Sequence, residues 1–323
     1  MLVIVGPGIM PIPPPGWGAV ESLIWDYSVW LKKRGVEVAI VNTPHTEEII
    51  RLVNSLNPNV VHIQYDNHWG IVPHLNCKNV IMTSHYGYLD SLHLRPGDNY
   101  MTTLQGFINS PAYIQALSPS IRDVYIRHGA DPNKVSVIHN GADHTLFRYT
   151  ETPLYPNKSI YLAKIDYRKR QHVYQDIPFI DFAGNYADRH FNPNRPNYLG
   201  EWQKPTLYEK LTDYANLVLL SDGEAHPLVC CEALVAGLGL VVSTYAAANL
   251  DTALPWIDVI PNERLNDIPY VATIILENQK KACQYRAEIR AYALQHFTWE
   301  RIIDKYLQQI EEWFFSPPIV TNG

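Results

Sequence analysis

Cysteine is scarce in this sequence, and the few cysteines that occur form no recognisable framework. There are four among 323 residues, and none has Cys-x-x-Cys spacing. Nothing therefore indicates a set of paired disulfides. Two of the four, Cys230 and Cys231, are adjacent within an apolar run. They predict small buried hydrophobic side chains in a reducing compartment.

Basic residues and long apolar runs are also in short supply. The chain has 26 lysines and arginines against 32 aspartates and glutamates, a formal net charge of −6. This balance argues against a nucleic-acid partner or an anionic membrane surface. The stretch MLVIVGPGIM lacks a basic region before its apolar run, which is too short to span a bilayer. We expect a soluble, cytoplasmic monomer or homodimer with at most weak membrane association.

Several common catalytic signatures are missing as well. The sequence contains no P-loop, no His-Glu-x-x-His and no Gly-x-Ser-x-Gly, and GPGIMP falls short of a Gly-x-Gly-x-x-Gly fingerprint. It also lacks Asp-x-Asp, the local signature of a paired-carboxylate metal site. The expectation is a site with no metal and no bound cofactor.

What the sequence does contain is an alternation of short β-branched runs and helical patterns, beginning with a strand at Leu2–Val5. Such alternation is typical of βαβ units and parallel sheets. The length predicts two domains, which we place at 1–150 and 151–298, with a linker at 148–158 where prolines interrupt any periodicity. A helix and tail at 299–323 complete an α/β fold of two Rossmann-like domains facing across a cleft.

The richest stretch is EAHPLVCCEALVAGLGL, from Glu224 to Leu240. A strand is predicted at 217–220 and a helix at 228–236, so Glu224 lies in the loop at the carboxyl end of a strand, where parallel sheets bind ligands. Glu232 lies about one turn into the helix, and its carboxylate suits a vicinal diol such as a ribose. Backbone N–H groups at the helix start suit phosphate or sugar oxygens. The alternative for Glu232 is a partly exposed helix residue paired with a lysine.

This stretch resembles the E-x7-E segment of retaining family-4 glycosyltransferases, which have the GT-B fold. Four further segments resemble family landmarks in the right order: PPPGWGAVE, TSHYGY, VSVIHNGADHTLF and YLAKIDYRKRQH. The C-terminal HFTWERIIDKYL resembles the closing segment, whose helix crosses back onto the first domain. The matching residues are Gly18, His85, Asn140, Gly141, Asp143, Phe147, Lys164 and Lys169. Ala19 and Arg170 stand where the family usually has glycine.

The resemblance implies a retaining, metal-independent transfer of a hexose-type sugar from a UDP- or GDP-sugar to a carbohydrate-like acceptor hydroxyl. The second domain would bind the nucleotide sugar and the first would face the acceptor. Glu224 would contact sugar hydroxyls, Lys164 and Lys169 the diphosphate, and His85 the sugar near its anomeric carbon. No dedicated protein base is implied. The other donor-binding residues would be Glu232, Gly18, Ala19, His226, Pro227, Leu228, Val229 and Gly184.

Other interpretations stay open. The same fold could carry a nucleotide-sugar epimerase or hydrolase, or an inactive sugar-nucleotide-binding module. The glycine-rich loop could be a surface turn, the basic loop could be solvated, His85 could be structural, and Asp143 suits a turn. Arg168 or Arg170 could share the phosphate role. Four aromatic residues could stack on a sugar or belong to the core: Tyr65, Trp69, Tyr86 and Tyr88. Only 14 residues separate Lys169 from Gly184, which predicts an abbreviated crossover.

Overall fold

The computed structural model describes residues 1–16 and 18–316 and consists of two parallel β-sheets flanked by helices. The strands of both sheets are short and largely buried, because helices cover both faces. Within the described residues every helix is too short or too polar to traverse a lipid bilayer. Residues 317–323 of the predicted C-terminal tail lie outside the described residues.

The first sheet has six parallel strands in the order β2-β1-β3-β4-β5-β6. They are β1 (Leu2–Val5), β2 (Val38–Val41), β3 (Val60–Ile63), β4 (Val80–Met82), β5 (Tyr113–Ala116) and β6 (Val135–Val137). The helices between them are α1 (Ala19–Lys33), α2 (Thr46–Leu56), α3 (Tyr100–Asn109) and α4 (Pro119–Arg127). The Ser118 side chain caps α4 by accepting from the N–H of Ile121.

The second sheet has five parallel strands in the order β11-β10-β9-β7-β8. They are β7 (Tyr155–Leu162), β8 (Ile180–Ala183), β9 (Tyr214–Leu219), β10 (Gly239–Ser243) and β11 (Ile257–Ile260). The helices are α5 (Gln171–Tyr174), α6 (Lys204–Lys210), α7 (Leu228–Val235), α8 (Ile268–Gln284), α9 (Arg286–His296) and α10 (Trp299–Phe314). The four-residue α5 is the abbreviated crossover that the short spacing predicted.

The predicted linker was wrong in detail, because it ends earlier than 158: β7 already begins at Tyr155, which pairs with Tyr214 of β9. Near the C-terminus, α8 and α9 meet at Tyr285. The chain turns there because the next side chain, Arg286, is drawn inward and donates hydrogen bonds to main-chain carbonyls, including those of Thr150 and Tyr214.

The last helix, α10, crosses back onto the first domain, as the resemblance implied. Arg34 at the end of α1 donates to both carboxylate oxygens of Asp304, at 2.7 and 3.1 Å. The buried ring of Tyr27 in α1 lies edge-on to Trp299 and to Tyr306, with centroids 5.0 and 5.2 Å apart. This contact buries one face of the first sheet under the end of the chain.

Candidate active site

A cleft of about 490 Å³ lies where the carboxyl ends of the two sheets face each other. The loops after β1, β4, β7, β8 and β9 all contribute to its walls. It brings together every residue that the sequence singled out for catalysis or donor binding: Gly18, Ala19, His85, Lys164, Lys169, Gly184, Glu224, His226, Pro227, Leu228, Val229 and Glu232. Residues from opposite ends of the chain therefore share one site.

Glu224 and Lys169 form an ion pair across the second domain's side of the cleft. Their side chains are only 10% and 12% exposed, so each charge depends on the other for most of its compensation. Lys169 is held in place locally because the side chain of Asp166 accepts a hydrogen bond from its backbone N–H at 3.1 Å. The buried Tyr161 hydroxyl also donates to the Lys169 carbonyl.

The basic loop that follows β7 divides its charges between the cleft and the exterior. Lys164, Arg168 and Lys169 line the cleft. Arg170 adopts a left-handed conformation at φ 59° and donates to the side chain of Asn266 at 2.5 Å, and it is not among the residues that line the cleft. Of the two arginines considered from the sequence, Arg168 is the one placed to meet a ligand.

Glu232 lies one turn into α7 and is also mostly buried. Its nearest cation is Lys204, at 3.8 Å, on a helix that no sequence motif linked to the site. Asp26 of α1 belongs to the same charge group and accepts from the indole N–H of Trp299 at 3.2 Å. Burial raises the pKa of Asp26 to about 7, and Lys204 opposes this while Glu232 adds to it.

His85 is held by a chain of buried side chains that starts in the C-terminal helix. The Tyr306 hydroxyl lies 2.9 Å from His62 Nδ1, whose Nε2 lies 2.8 Å from the Thr83 hydroxyl. Gln64 bridges the two histidines, with its amide nitrogen 3.3 Å from His62 Nδ1 and its oxygen 2.8 Å from His85 Nε2. The Gln64 oxygen can only accept, so His85 carries its proton on Nε2.

Burial keeps both of these histidines neutral. It lowers the pKa of His62 to about 3 and that of His85 to about 4. The Gln64 contact occupies Nε2 of His85, which leaves Nδ1 as the acceptor of the ring. His85 therefore meets the cleft as an uncharged side chain that can accept a hydrogen bond from a hydroxyl group.

His226 lines the cleft, but its ring is engaged within the protein. Nδ1 accepts from the backbone N–H of Asn140 at 3.1 Å, and the His226 carbonyl accepts from the Asn140 side chain at 2.9 Å. These bonds tie the loop before α7 to the end of the first domain. Asp143 of the same motif accepts from the backbone N–H of Thr145, consistent with the turn that its position suggested.

At two of the predicted glycine positions, the backbone conformation requires glycine. Gly18 precedes α1 at φ 127°, a region that other residues rarely adopt, and it is followed by Ala19 as the first helical residue. Gly184 follows β8 at φ 155°, and a Cβ there would lie 1.8 Å from the carbonyl oxygen of Ala163. The loop after β8 can therefore approach the end of β7 only with glycine at this position.

The aromatic residues considered for sugar stacking do not line the cleft. The ring of Trp69 packs on Gly106 of α3, and Tyr86 stacks on Tyr100 with centroids 3.9 Å apart. Conversely, the cleft includes Glu201, Trp202 and Lys204, which sequence reasoning missed. These residues follow no recognisable motif, and only the folding of the loop after β8 brings them to the site. Among the described residues there is no group of three or more His, Cys, Asp or Glu side chains arranged to hold a metal ion.

The chain resembles solved glycosyltransferase structures over nearly its whole length. HepE of Anabaena in complex with UDP-glucose superposes with a TM-score of 0.72 at 13% identity, covering 96% of this chain and 99% of that one. Sucrose-phosphate synthase of Thermosynechococcus elongatus gives a TM-score of 0.71 at 15% identity, covering 97% and 98%. The fold is GT-B. This confirms the fold class predicted from the sequence.

Further comparisons agree with this fold. The sequence profile of Glycosyltransferase Family 4 matches residues 41–146, in the first domain. The lipopolysaccharide outer core galactosyltransferase WaaB gives a TM-score of 0.65 at 13% identity, covering 96% of this chain and 99% of that one. No curated protein sequence matches the chain. In this GT-B protein, the cleft described above is the space between the two domains.

Proposed function

We propose that this protein is a retaining, metal-independent glycosyltransferase that moves a hexose-type sugar from a UDP- or GDP-sugar to an acceptor hydroxyl. The observation that carries the proposal is that every residue matching a family motif for donor binding or catalysis lines one cleft. The similarity to HepE, solved with UDP-glucose, supports a nucleotide sugar as the donor. The four unpaired cysteines support a cytoplasmic location.

In the proposed reaction, positive charge stabilises the departing nucleotide diphosphate. Lys164, Lys169 and Arg168 converge on one side of the cleft, and the N-termini of α1 and α7 reach the same space. These groups are already in place before the bond between sugar and diphosphate breaks, so they do not have to move as negative charge develops on the diphosphate. Glu224, anchored by Lys169, would orient the sugar hydroxyls and so fix the direction of acceptor attack.

Retention would follow from attack on the same face from which the diphosphate departs. A donor phosphate oxygen would take the acceptor proton, so no side chain has to serve as the base. His85 suits this scheme because its neutral ring accepts a hydrogen bond without adding a positive charge beside the sugar. Closure of the cleft would limit hydrolysis of the donor.

The proposal can be tested in two steps, of which the first is donor binding. UDP-glucose, UDP-galactose, GDP-mannose and the free nucleotides are compared by thermal unfolding. A ligand at 100 times its Kd stabilises the folded state by about 2.7 kcal/mol. We expect stabilisation by one nucleotide class, and Glu232→Gln should weaken it by removing the carboxylate assigned to the ribose. If no nucleotide sugar stabilised the protein, the proposed donor site would be wrong.

The second step is product analysis with the donor that binds. Transfer predicts a new glycoside whose anomeric configuration equals that of the donor, and its appearance must depend on the acceptor. An isomerised donor without acceptor would identify an epimerase, and free sugar alone would identify a hydrolase. Binding without any turnover across an acceptor panel would identify an inactive binding module. Undiminished transfer in the presence of a chelator is expected for the metal-independent reaction.

A further inference from the structure

We propose that Tyr88, Arg95 and Asp222 form a latch that joins the two domains beside Glu224 and His85, at what we call the sugar end of the cleft, and that the latch positions Glu224 relative to His85. The proposal rests on the function proposed above, since it concerns the same cleft. All three are positioning residues, because none is assigned to touch the substrate.

The latch consists of direct contacts between the domains. The Tyr88 hydroxyl donates to Asp222 Oδ1 at 2.5 Å, and Arg95 Nη2 donates to the same hydroxyl at 2.8 Å. The Arg95 guanidinium also lies 4.7 Å from the centre of the Tyr88 ring and 3.9 Å from Asp222 Oδ1. Tyr88 is 4% exposed, whereas Arg95 and Asp222 are about one-third exposed. The buried hydroxyl is therefore the centre of the latch.

Two glycines let the latch loops touch. A Cβ on Gly223 would lie 2.5 Å from the Tyr88 ring, and one on Gly87 would lie 3.2 Å from the Gly223 carbonyl oxygen. Neither position has room for a side chain without displacement of the opposite loop. The main chains of the two domains are thus in contact at this point, within the segments that carry the latch.

The latch is connected on both sides to residues of the proposed site. Asp222 precedes Glu224 by two residues, and its backbone N–H donates to the Arg168 carbonyl at 3.1 Å, next to Lys169. On the other side, Tyr88 follows His85 by three residues. The latch therefore ties together the three segments that hold the ion pair of Glu224 and Lys169 and the neutral histidine.

The chemistry of Tyr88 suits a permanent donor. Burial and the Asp222 carboxylate raise the pKa of the Tyr88 hydroxyl, so it stays protonated and continues to donate to Asp222 across the physiological pH range. A hydrogen bond to a charged group contributes more than one between neutral groups. Loss of this bond should allow the sugar end of the cleft to open. Lys164, which is assigned to the donor diphosphate, should keep its position.

This separation gives a direct test with UDP and UDP-glucose as probes. Tyr88→Phe removes the hydroxyl but keeps the ring. We expect its affinity for UDP-glucose to fall about tenfold, the effect of one charged hydrogen bond, with its affinity for UDP unchanged. Asp222→Asn leaves the Tyr88 hydroxyl in place and keeps an oxygen that can accept from it, so it should lose less UDP-glucose affinity than Tyr88→Phe does. Asn249→Gly is the control, since it removes another bond between the domains, to the Leu117 carbonyl at 2.7 Å, outside the cleft, and glycine suits the backbone φ of 61° at this position.

Amide hydrogen exchange gives a second readout that does not depend on the donor. In Tyr88→Phe, amides of 86–95 and 221–225 should exchange about tenfold faster than in the wild type, the effect of losing one hydrogen bond, and in Asn249→Gly they should not. Unchanged exchange in these segments would overturn the latch, as would equal losses of UDP and UDP-glucose affinity. If neither probe bound the wild type, the proposed function with a UDP-sugar would fail, whereas the exchange rates would still decide the latch.

Discussion

Replacing either member of the Glu224–Lys169 pair should affect stability and catalysis in different ways. Each side chain is about nine-tenths buried, and each is the other's ion-pair partner. A single alanine substitution therefore leaves the remaining charged side chain without its ion-pair partner in a poorly hydrated environment. Breaking a buried pair in this way costs about 3 kcal/mol of unfolding free energy. Replacing both residues strands neither charge and should cost much less than the sum of the two.

The resulting coupling can be measured by a double-mutant cycle in urea. We expect the variant Glu224→Ala/Lys169→Ala to be about 2 kcal/mol more stable than additivity predicts. Transfer should behave differently. Each single variant and the double variant should lose roughly 10²–10³-fold in transfer rate, because the groups assigned to the sugar and the diphosphate are missing.

The comparison separates a damaged fold from a damaged site. The double variant is expected to be well folded and inactive, so its loss of rate reflects the missing groups rather than the unfolding of the protein. Additive stabilities would mean that the ion pair does not form in solution. Normal transfer rates in both single variants would show that the assignment of the site is wrong.

Three further predictions follow from buried or strained positions. The pKa of Asp26 is raised from 3.8 to about 7, so between these pH values the folded state binds a proton that the unfolded state has lost. The free energy of unfolding should therefore fall as the pH rises from about 4 to about 7. Asp26→Asn should reduce this pH dependence, measured by urea unfolding at several pH values. Gly184→Ala should lower the free energy of unfolding by at least about 2 kcal/mol more than Gly35→Ala does. Both glycines have positive φ, but a Cβ at position 35 would meet open space. Equal melting temperatures of the two variants would contradict this. Gln64→Glu would place a carboxylate beside His85 and should raise the pKa of that ring above about 4, an upward shift that an NMR titration would detect or exclude.

The general position of the site could be predicted from the sequence because its determinants are local. The strand before Glu224 is a short apolar run, and the helix after it stops just before Gly237, whose φ of 87° suits glycine. In a parallel sheet, the loop between such elements must lie at the carboxyl edge. The same logic applies to His85 and Lys164, which follow their own strands. The periodicity of the apolar residues and the positions of the glycines thus indicate which residues lie together at the carboxyl edge of the sheets.

Other features depend on tertiary contacts and leave no signal in a local pattern. The break between α8 and α9 exists because Arg286 reaches carbonyl groups of other segments. Arg170 turns out of the cleft because its backbone is left-handed and Asn266 receives its side chain. Helix α3 went unpredicted because its sequence, YMTTLQGFIN, includes threonines and a glycine that are weak helix formers. That glycine, Gly106, is present to admit the ring of Trp69.

The return of α10 to the first domain has a consequence for the order in which the molecule can be built. The side chains of Trp299, Ile302 and Tyr306 complete a core that otherwise consists of residues from β1, α1 and their neighbours. The last strand of the first sheet ends at Val137, so the ribosome must add more than half the chain before these residues emerge. At 5–20 residues per second this takes roughly 10–30 s. During that interval the nascent first domain presents an uncovered apolar face, which makes it a natural client for chaperones that bind at the ribosome.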